Sequence, residues 1–128
     1  MKRFIASLLL VFSLFAFSGC FFGGGLTQKF GVKVDAITKI EYYTFDTLRI
    51  EFTDKAEIEE LFGLMNTTYE KEEKLNSAVS SYWLIHYGEE GKTVKVFETD
   101  GHLGVFKGEQ GYITKGSVNI PSKYKWSR

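Results

Sequence analysis

The sequence predicts a single α+β domain made mainly of antiparallel sheet, and three observations support this fold class. Two neighbouring strand-like runs are joined by a short connection, an amphipathic helix with a capping box follows them, and later runs are separated by glycine-containing turns. We therefore expect a hairpin, one helix and then a meander of three to four strands. Strands and helices that are segregated in this way are typical of α+β domains.

The first two strands are predicted from β-rich composition and alternation. Residues 37–43 and 48–53 read as strands, and 45–47 has the composition of a hairpin connection. The second strand alternates apolar and polar residues without interruption, which predicts one core-facing side and one solvent-facing side. Its predicted core residues are Leu48, Ile50 and Phe52.

The helix is predicted by its own start and stop signals. Asp54 and Glu57 have the spacing of a capping box, and Asn66 is a suitable end. Four apolar residues at helical spacing predict its buried face: Ile58, Leu61, Phe62 and Met65. The charged segment 67–78 has no clear pattern, and we leave open whether it is a loop or more helix.

The meander is predicted from runs at 82–87, 93–98 and 102–107, with Asp100-Gly101 as a strong hairpin signal. Two-residue loops would pair three sets of residues on one core face: Ile85 with Val94, Trp83 with Val96, and Val96 with Val105. Residues 112–114 are predicted to add a last strand. Two large aromatics in the tail, Tyr124 and Trp126, predict that it docks on the domain.

The first twenty residues have the layout of a secretory signal. Two basic residues precede an apolar stretch over 4–17, and Ala16, Ser18 and Gly19 supply small residues at its end. The end of this stretch, Phe17-Ser18-Gly19-Cys20, resembles the lipobox of bacterial membrane lipoproteins, although Leu usually stands where Phe17 does.

Over its whole length the chain is similar to small lipoproteins of unassigned function, of the YhfM-like sort. Lys39-Ile40-Glu41, Phe52-Thr53-Asp54 and Tyr82-Trp83-Leu84 carry the rest of this resemblance. The resemblance implies cleavage before Cys20, a lipid on its sulfur, and a location on the extracytoplasmic face of the cell membrane.

These features predict a signal peptide over 1–19, a lipidated Cys20 with a glycine-rich tether over 20–29, and an extracytoplasmic domain over 30–128. Two alternatives remain open. An ordinary signal peptidase could cut after Ala16-Phe17-Ser18 and release the domain, or residues 4–22 could stay as a membrane helix of about 20 residues.

Charge and cysteine content limit the classes of function. The whole chain has 16 basic and 16 acidic side chains, so removing Lys2 and Arg3 leaves a net charge of 14 − 16 = −2. A nucleic-acid partner is disfavoured at this charge. The single Cys excludes an internal disulfide, and we expect a monomer held to the membrane by its lipid.

Candidate catalytic residues are few. The predicted register puts His86 beside Thr93 and His102 beside Thr99, six residues or about 20 Å apart along the sheet, so one metal could not bind both. We interpret them as exposed strand residues. The sequence has no Gly-x-Ser-x-Gly elbow and no phosphate-binding loop. We therefore predict no catalytic, metal or cofactor site.

Three aromatics, Tyr82, Phe97 and Phe106, would share the face opposite Trp83. We expect the helix or the tail to cover them. The alternative is an exposed apolar patch that marks a binding surface. Together these features favour a non-catalytic module that binds an unidentified protein or envelope ligand. The alternatives are a small envelope enzyme acting on wall or peptide substrates, and an inhibitor of a foreign hydrolase.

Overall fold

The computed structural model describes residues 25–75 and 80–125. Its helices are α1 (Leu26–Phe30) and α2 (Lys55–Met65), and short 3₁₀ turns cover Val34–Ala36 and Ser122–Tyr124. Its strands are β1 (Ile37–Thr44), β2 (Thr47–Phe52), β3 (Tyr69–Lys71), β4 (Ser81–Tyr87), β5 (Lys92–Thr99), β6 (His102–Lys107) and β7 (Gln110–Thr114).

All of the described strands join one antiparallel sheet in the order β2-β1-β4-β5-β6-β7-β3. The predicted α+β class is confirmed. The meander β4-β5-β6-β7 forms the middle of the sheet, the β1-β2 hairpin adds to the β4 side, and the three-residue β3 closes the other edge.

The β1-β2 hairpin turns at Phe45-Asp46, where we predicted the connection. Ile50 and Phe52 are buried as expected, but Leu48 is 44% exposed. The register shifts between Tyr42, which faces Ile50, and the next residue, which faces Leu48. This irregularity ends the alternation and leaves Leu48 outside the core, so its predicted burial is wrong.

Helix α2 follows its local sequence signals. The Asp54 carboxylate accepts the backbone N–H of Glu57 at 3.1 Å, and the backbone N–H of Asn66 donates to the carbonyl of Phe62 at 2.7 Å. The four predicted apolar residues are buried. They join one core cluster with residues from the sheet face that includes Ile40, Trp83 and Val96.

The meander register is confirmed in part. Ile85 pairs with Val94 and Trp83 with Val96. The β5-β6 ladder stops one pair short of Val96 and Val105, although both valines belong to the core cluster. The Asp100-Gly101 turn has positive φ at both residues, 48° and 78°, as a two-residue hairpin of this hand requires.

The sequence interpretation missed helix α1, and the domain boundary moves because of it. Leu26 is fully buried and belongs to the core cluster. The backbone N–H of Thr27 donates to the Asn66 side chain, whose amide donates in turn to the Thr27 hydroxyl, both at 3.1 Å. The folded domain thus includes residues 25–29, which we had predicted to be tether.

Strand β3 was also missed, and it determines the path of the chain. Its residues pair with the end of β7, Tyr69 with Thr114 and Lys71 with Tyr112. The chain then continues through 72–75, which we call the crossover, toward the start of β4 in the middle of the sheet. Part of segment 67–78 is therefore strand, while 76–79 lies outside the described residues.

The tail docks as predicted as far as it is described. Ile120 and Tyr124 are buried in the core cluster, and the Tyr124 ring meets the Phe52 ring edge-on at 5.5 Å. Trp126 lies outside the described residues. The core therefore occupies one face of the sheet, beneath α1, α2 and the tail. We call the opposite side the second face.

Candidate functional site

The predicted lipidation site, Cys20, and the signal over 1–19 lie outside the described residues. The described part of the chain begins at Gly25, five positions after Cys20. Among the described residues, no helix has the length and apolar character needed to cross a membrane.

The three aromatics predicted as a surface do not form one exposed patch. Phe97 is only 2% exposed, whereas Tyr82 and Phe106 are half-buried. The Phe97 and Phe106 rings stack at 5.8 Å, and Tyr82 belongs to a different group of contacts. Phe97 therefore packs inside the fold, beside Phe106.

The cover over Phe97 is neither the helix nor the tail, so that prediction is wrong. Both of those elements pack into the core on the other face. The crossover places Leu75 over two glycines of the second face. A Cβ at Gly104 would lie 2.6 Å from the Phe97 ring and 3.2 Å from Leu75, and one at Gly111 would lie 2.8 Å from Leu75. Because Gly104 and Gly111 have no side chains, Leu75 can pack closely against the sheet here.

Further along the second face, toward β1, lies a group of polar and aromatic side chains that we call the polar patch: Lys39, Glu41, Tyr43, Tyr82, His86 and Lys95. Its centre is Glu41, which is only 6% exposed. One Glu41 oxygen is hydrogen-bonded to Nε2 of His86, and Lys39 Nζ lies 3.8 Å from the other. A buried carboxylate requires such partners.

Tyr82 is enclosed by its neighbours on the adjacent strands. Its ring stacks on Tyr43 of β1 at 5.1 Å, and Lys95 Nζ of β5 lies 4.1 Å from its centroid. Its hydroxyl donates to Asp46 at 3.1 Å, and burial together with this bond raises the pKa of Tyr82. Because both ring faces are covered, Tyr82 does not present a flat platform on which a sugar could stack.

We had interpreted His86 as an exposed strand residue, and this is wrong, because its side chain is only 22% exposed and is paired with Glu41. A carboxylate that orients an imidazole is one part of a general-base site. Among the described hydrogen bonds, none joins the His86 ring to a hydroxyl or thiol. The sequence analysis missed the His86–Glu41 pair because the pair depends on the pairing of β1 with β4, which places Lys39 opposite His86.

Two pockets among the described residues lie outside the His86–Glu41 pair, although Lys95 of the polar patch lines the first of them. One, of about 150 Å³, lies where the β5-β6 ladder ends, near Phe30, Lys95 and Phe106. The other, of about 220 Å³, lies between the Val34–Ala36 turn and the start of α2. Neither is lined by Glu41 or His86. Both are smaller than the several hundred Å³ typical of cofactor and drug-sized ligand sites.

His102 has a structural role in this arrangement. Its Nδ1 lies 3.1 Å from the carbonyl oxygens of both Thr114 and Gly116. An N–H on this nitrogen donates to these carbonyl oxygens and so links the end of β7 to the start of β6. Among the described residues, no group of three or more His, Cys, Asp or Glu side chains could hold a metal ion.

The tip of the β1-β2 hairpin is a feature that sequence reasoning missed. Phe45 is 78% exposed, and both turn residues have positive φ, 50° at Phe45 and 60° at Asp46. Left-handed backbone is unfavourable for a bulky residue. The sequence feature that could have indicated this tip is a Phe at a turn position where Asn or Gly is usual. We call Phe45 and Leu48 the hairpin tip.

The glutamate-rich segment 69–74 does not protrude as an inhibitory loop would. Its first half is the edge strand β3, and the backbone N–H of Glu72 donates to the Gly111 carbonyl at 3.0 Å. Lys74 is held locally, because its N–H donates to the Glu72 side chain at 3.2 Å.

Searches for related proteins add no assignment to this geometry: no family model, no curated protein and no solved structure matches the chain.

Proposed function

We propose that this chain is a lipid-anchored extracytoplasmic protein whose domain is a non-catalytic binding module. The observation that carries the anchoring is Cys20, the only Cys, at the end of an apolar stretch and directly after Phe17-Ser18-Gly19. Four residues, and so five Cα–Cα steps, separate it from Gly25, where the described part of the domain begins. That length spans at most about 18 Å, which keeps the domain next to the bilayer.

The hairpin tip favours a binding role. A bulky residue held in left-handed backbone at an exposed turn lowers the stability of the fold. Strained residues of this kind are found mainly at functional sites. Phe45 and the neighbouring Leu48 are the large apolar side chains with high exposure in the described chain. An apolar pocket on a protein partner would bury both. The tip is on the β1 side of the sheet, about four strand spacings or 19 Å from β7.

The anchor is tested by the intact mass of the mature protein isolated from membranes of the producing cell. We expect a chain that begins at Cys20 and carries a diacylglyceryl mass, because the lipid is attached to that sulfur before cleavage. Cys20→Ser is the matched control and should accumulate as the uncleaved precursor. A wild-type chain that begins at Met1, or that lacks the added mass, would rule out the lipid anchor.

The binding role is tested by photo-crosslinking in the same cells. A benzophenone amino acid replaces Phe45 in one strain, and Glu90, exposed in the β4-β5 turn, in the control strain. We expect a discrete adduct from position 45 that position 90 does not give. Adducts of equal yield from both positions, or none from position 45, would contradict a partner at the hairpin tip.

A second candidate is a small envelope hydrolase, favoured by the His86–Glu41 pair alone. It predicts that purified protein cleaves peptidoglycan fragments or peptides and that His86→Asn and Glu41→Gln abolish the cleavage. Retained cleavage in both variants would exclude this pair as the base, and absence of cleavage by the wild type would leave the binding module as the better account.

A further inference from the structure

Three lysines from three different elements lie near one another and near Tyr112, on the side of the domain where the described chain begins. Lys29 of α1 places Nζ 4.1 Å from the centroid of the Tyr112 ring on β7. Lys71 of β3 pairs directly with Tyr112. Lys107 pairs with Gln110 of β7, so it is a diagonal neighbour of Tyr112 on the same face. We call Lys29, Lys71 and Lys107 the lysine cluster.

The cluster lacks acidic partners among the described residues. Ion pairs there engage Lys39, Lys123 and Lys125, and none engages these three lysines. Among the nearby acids, Glu70 pairs with Ile113 and so lies on the opposite face of the sheet from Lys71, and Glu72 accepts the backbone N–H of Lys74. Glu73 and Glu109 are exposed at the surface. Burial and the charges of Lys107 and Lys71 lower the pKa of Lys29. The fold therefore tolerates a repulsion that a bound anion would relieve.

The position of the cluster relative to the anchor indicates which anion it meets. Gly25, where the described chain begins, precedes α1 directly, and Lys29 lies one helical turn further on. The chain between Cys20 and Gly25 reaches at most about 18 Å. The potential of an anionic membrane surface decays over a Debye length of about 10 Å, and a tether this short allows the cluster to come within that range.

We propose that the lysine cluster is a docking surface for the anionic phospholipid headgroups of the leaflet that holds the Cys20 anchor. The proposal rests on the proposed function for the anchor, which brings the cluster to the bilayer. Tyr112 adds an amphipathic ring, of the kind common at the membrane–water boundary. The cluster lies on the β3 side of the sheet, and the hairpin tip lies toward the opposite edge, so docking would turn the tip away from the membrane.

The test uses the mature chain, residues 20–128, with Cys20→Ser, so that no lipid contributes to binding. Sedimentation with phosphatidylcholine vesicles is compared with and without about 30% phosphatidylglycerol. We expect binding to the anionic vesicles only. The variant K29Q/K71Q/K107Q should bind roughly 100-fold more weakly, about fivefold per lysine. Circular dichroism checks its fold, and K71Q/K107Q, which changes only exposed lysines, should lose about 25-fold.

The matched control is K55Q/K74Q/K92Q, which removes the same charge from exposed lysines outside the cluster. It should lose less than about fivefold. Equal losses in the two triple variants, or no binding of the parent chain to anionic vesicles, would overturn the proposal. Release of the bound protein by millimolar inorganic phosphate would also overturn it in favour of a free anion. Because the chain carries no lipid, failure here leaves the mass test of the anchor unaffected.

Discussion

Two regions of the domain differ in which side chains they expose: the region around Gly25, and the hairpin tip. At the first, which we call the tether end, Leu26 is fully buried and the lysine cluster lies at the surface around it. At the hairpin tip, Phe45 is 78% exposed in a strained turn. The first arrangement buries its apolar side chain and brings three lysines close together. The second sacrifices stability to expose an apolar side chain, which is the pattern of a site kept for contact with a partner.

The largest effect that separates the two regions is expected for Leu26→Ala. Because Leu26 is fully buried, its truncation leaves a cavity and should lower the free energy of unfolding by about 2–5 kcal/mol. Urea unfolding of the mature chain with Cys20→Ser measures this change. Gln28→Ala, on an exposed position of the same helix, is the control and should change little. Equal small effects would mean that residues 25–29 are tether after all.

The second expected effect concerns the crossover, which packs on the second face of the sheet. A Cβ at Gly111 would lie 2.8 Å from Leu75 and 2.9 Å from the Glu72 carbonyl oxygen, so Gly111→Ala should cost about 1–3 kcal/mol of unfolding free energy. Gly63→Ala is the control, since a Cβ added there would meet no atom within 4 Å and α2 gains a better helix former. It should stabilise by about 0.5–1 kcal/mol. A stabilising Gly111→Ala would contradict the close packing of the crossover.

The third effect is the pH dependence of the tether end, through Tyr69. Burial raises the pKa of Tyr69, whose hydroxyl donates to the Met65 carbonyl at 2.7 Å. In the unfolded chain Tyr69 loses its proton above about pH 10, whereas in the native protein it keeps the proton. The stabilisation that comes from burying the protonated Tyr69 is therefore complete below pH 10 and declines as the pH rises above it. Tyr69→Phe should cost about 1 kcal/mol at neutral pH and make the alkaline decline shallower. Unfolding curves at pH 7 and pH 10.5 provide the measurement, and parallel declines in both proteins would contradict it.

The smallest expected effect has the opposite sign and belongs to the hairpin tip. Replacing Phe45 by Asn relieves the positive-φ strain at that position, keeps the Asp46 carboxylate that accepts from Tyr82, and should raise the free energy of unfolding by up to about 1 kcal/mol. Phe45→Ala is the control, because it removes the exposed ring but keeps most of the strain. Thermal melts measure both variants. A destabilised Phe45→Asn variant would show that the Phe45 ring supports the fold and is not kept for a partner.

The elements predicted correctly from the sequence are those with local signals. The capping box of Asp54 and Glu57 and the Asp100-Gly101 turn specify α2 and the β5-β6 hairpin within a few residues of chain. The missed elements depend on distant partners. Strand β3 is three residues long and two of them are charged, so only its pairing with β7 makes it a strand.

The lipidation site at Cys20 rests on a local signal of four adjacent residues, and it stays a prediction because it lies outside the described residues. The His86–Glu41 pair joins residues 45 positions apart and needs the β1-β4 register, which the sequence pattern does not specify. Leu26 was assigned to a tether because three glycines precede it, although its burial comes from contacts with the distant core. In the lysine cluster, three elements bring together residues that have no common sequence motif.

The orientation of the domain on the membrane tests the account most directly. In the lipidated protein the sulfur of Cys20 is blocked, so one introduced thiol can carry a fluorophore, at Glu109→Cys beside the lysine cluster or at Phe45→Cys on the hairpin tip. Quenching by nitroxide-labelled headgroups is measured in vesicles that contain phosphatidylglycerol. We expect strong quenching at position 109 and little at position 45. Equal quenching at the two positions, or stronger quenching at position 45, would contradict a domain that rests on its tether end and presents its hairpin tip away from the membrane.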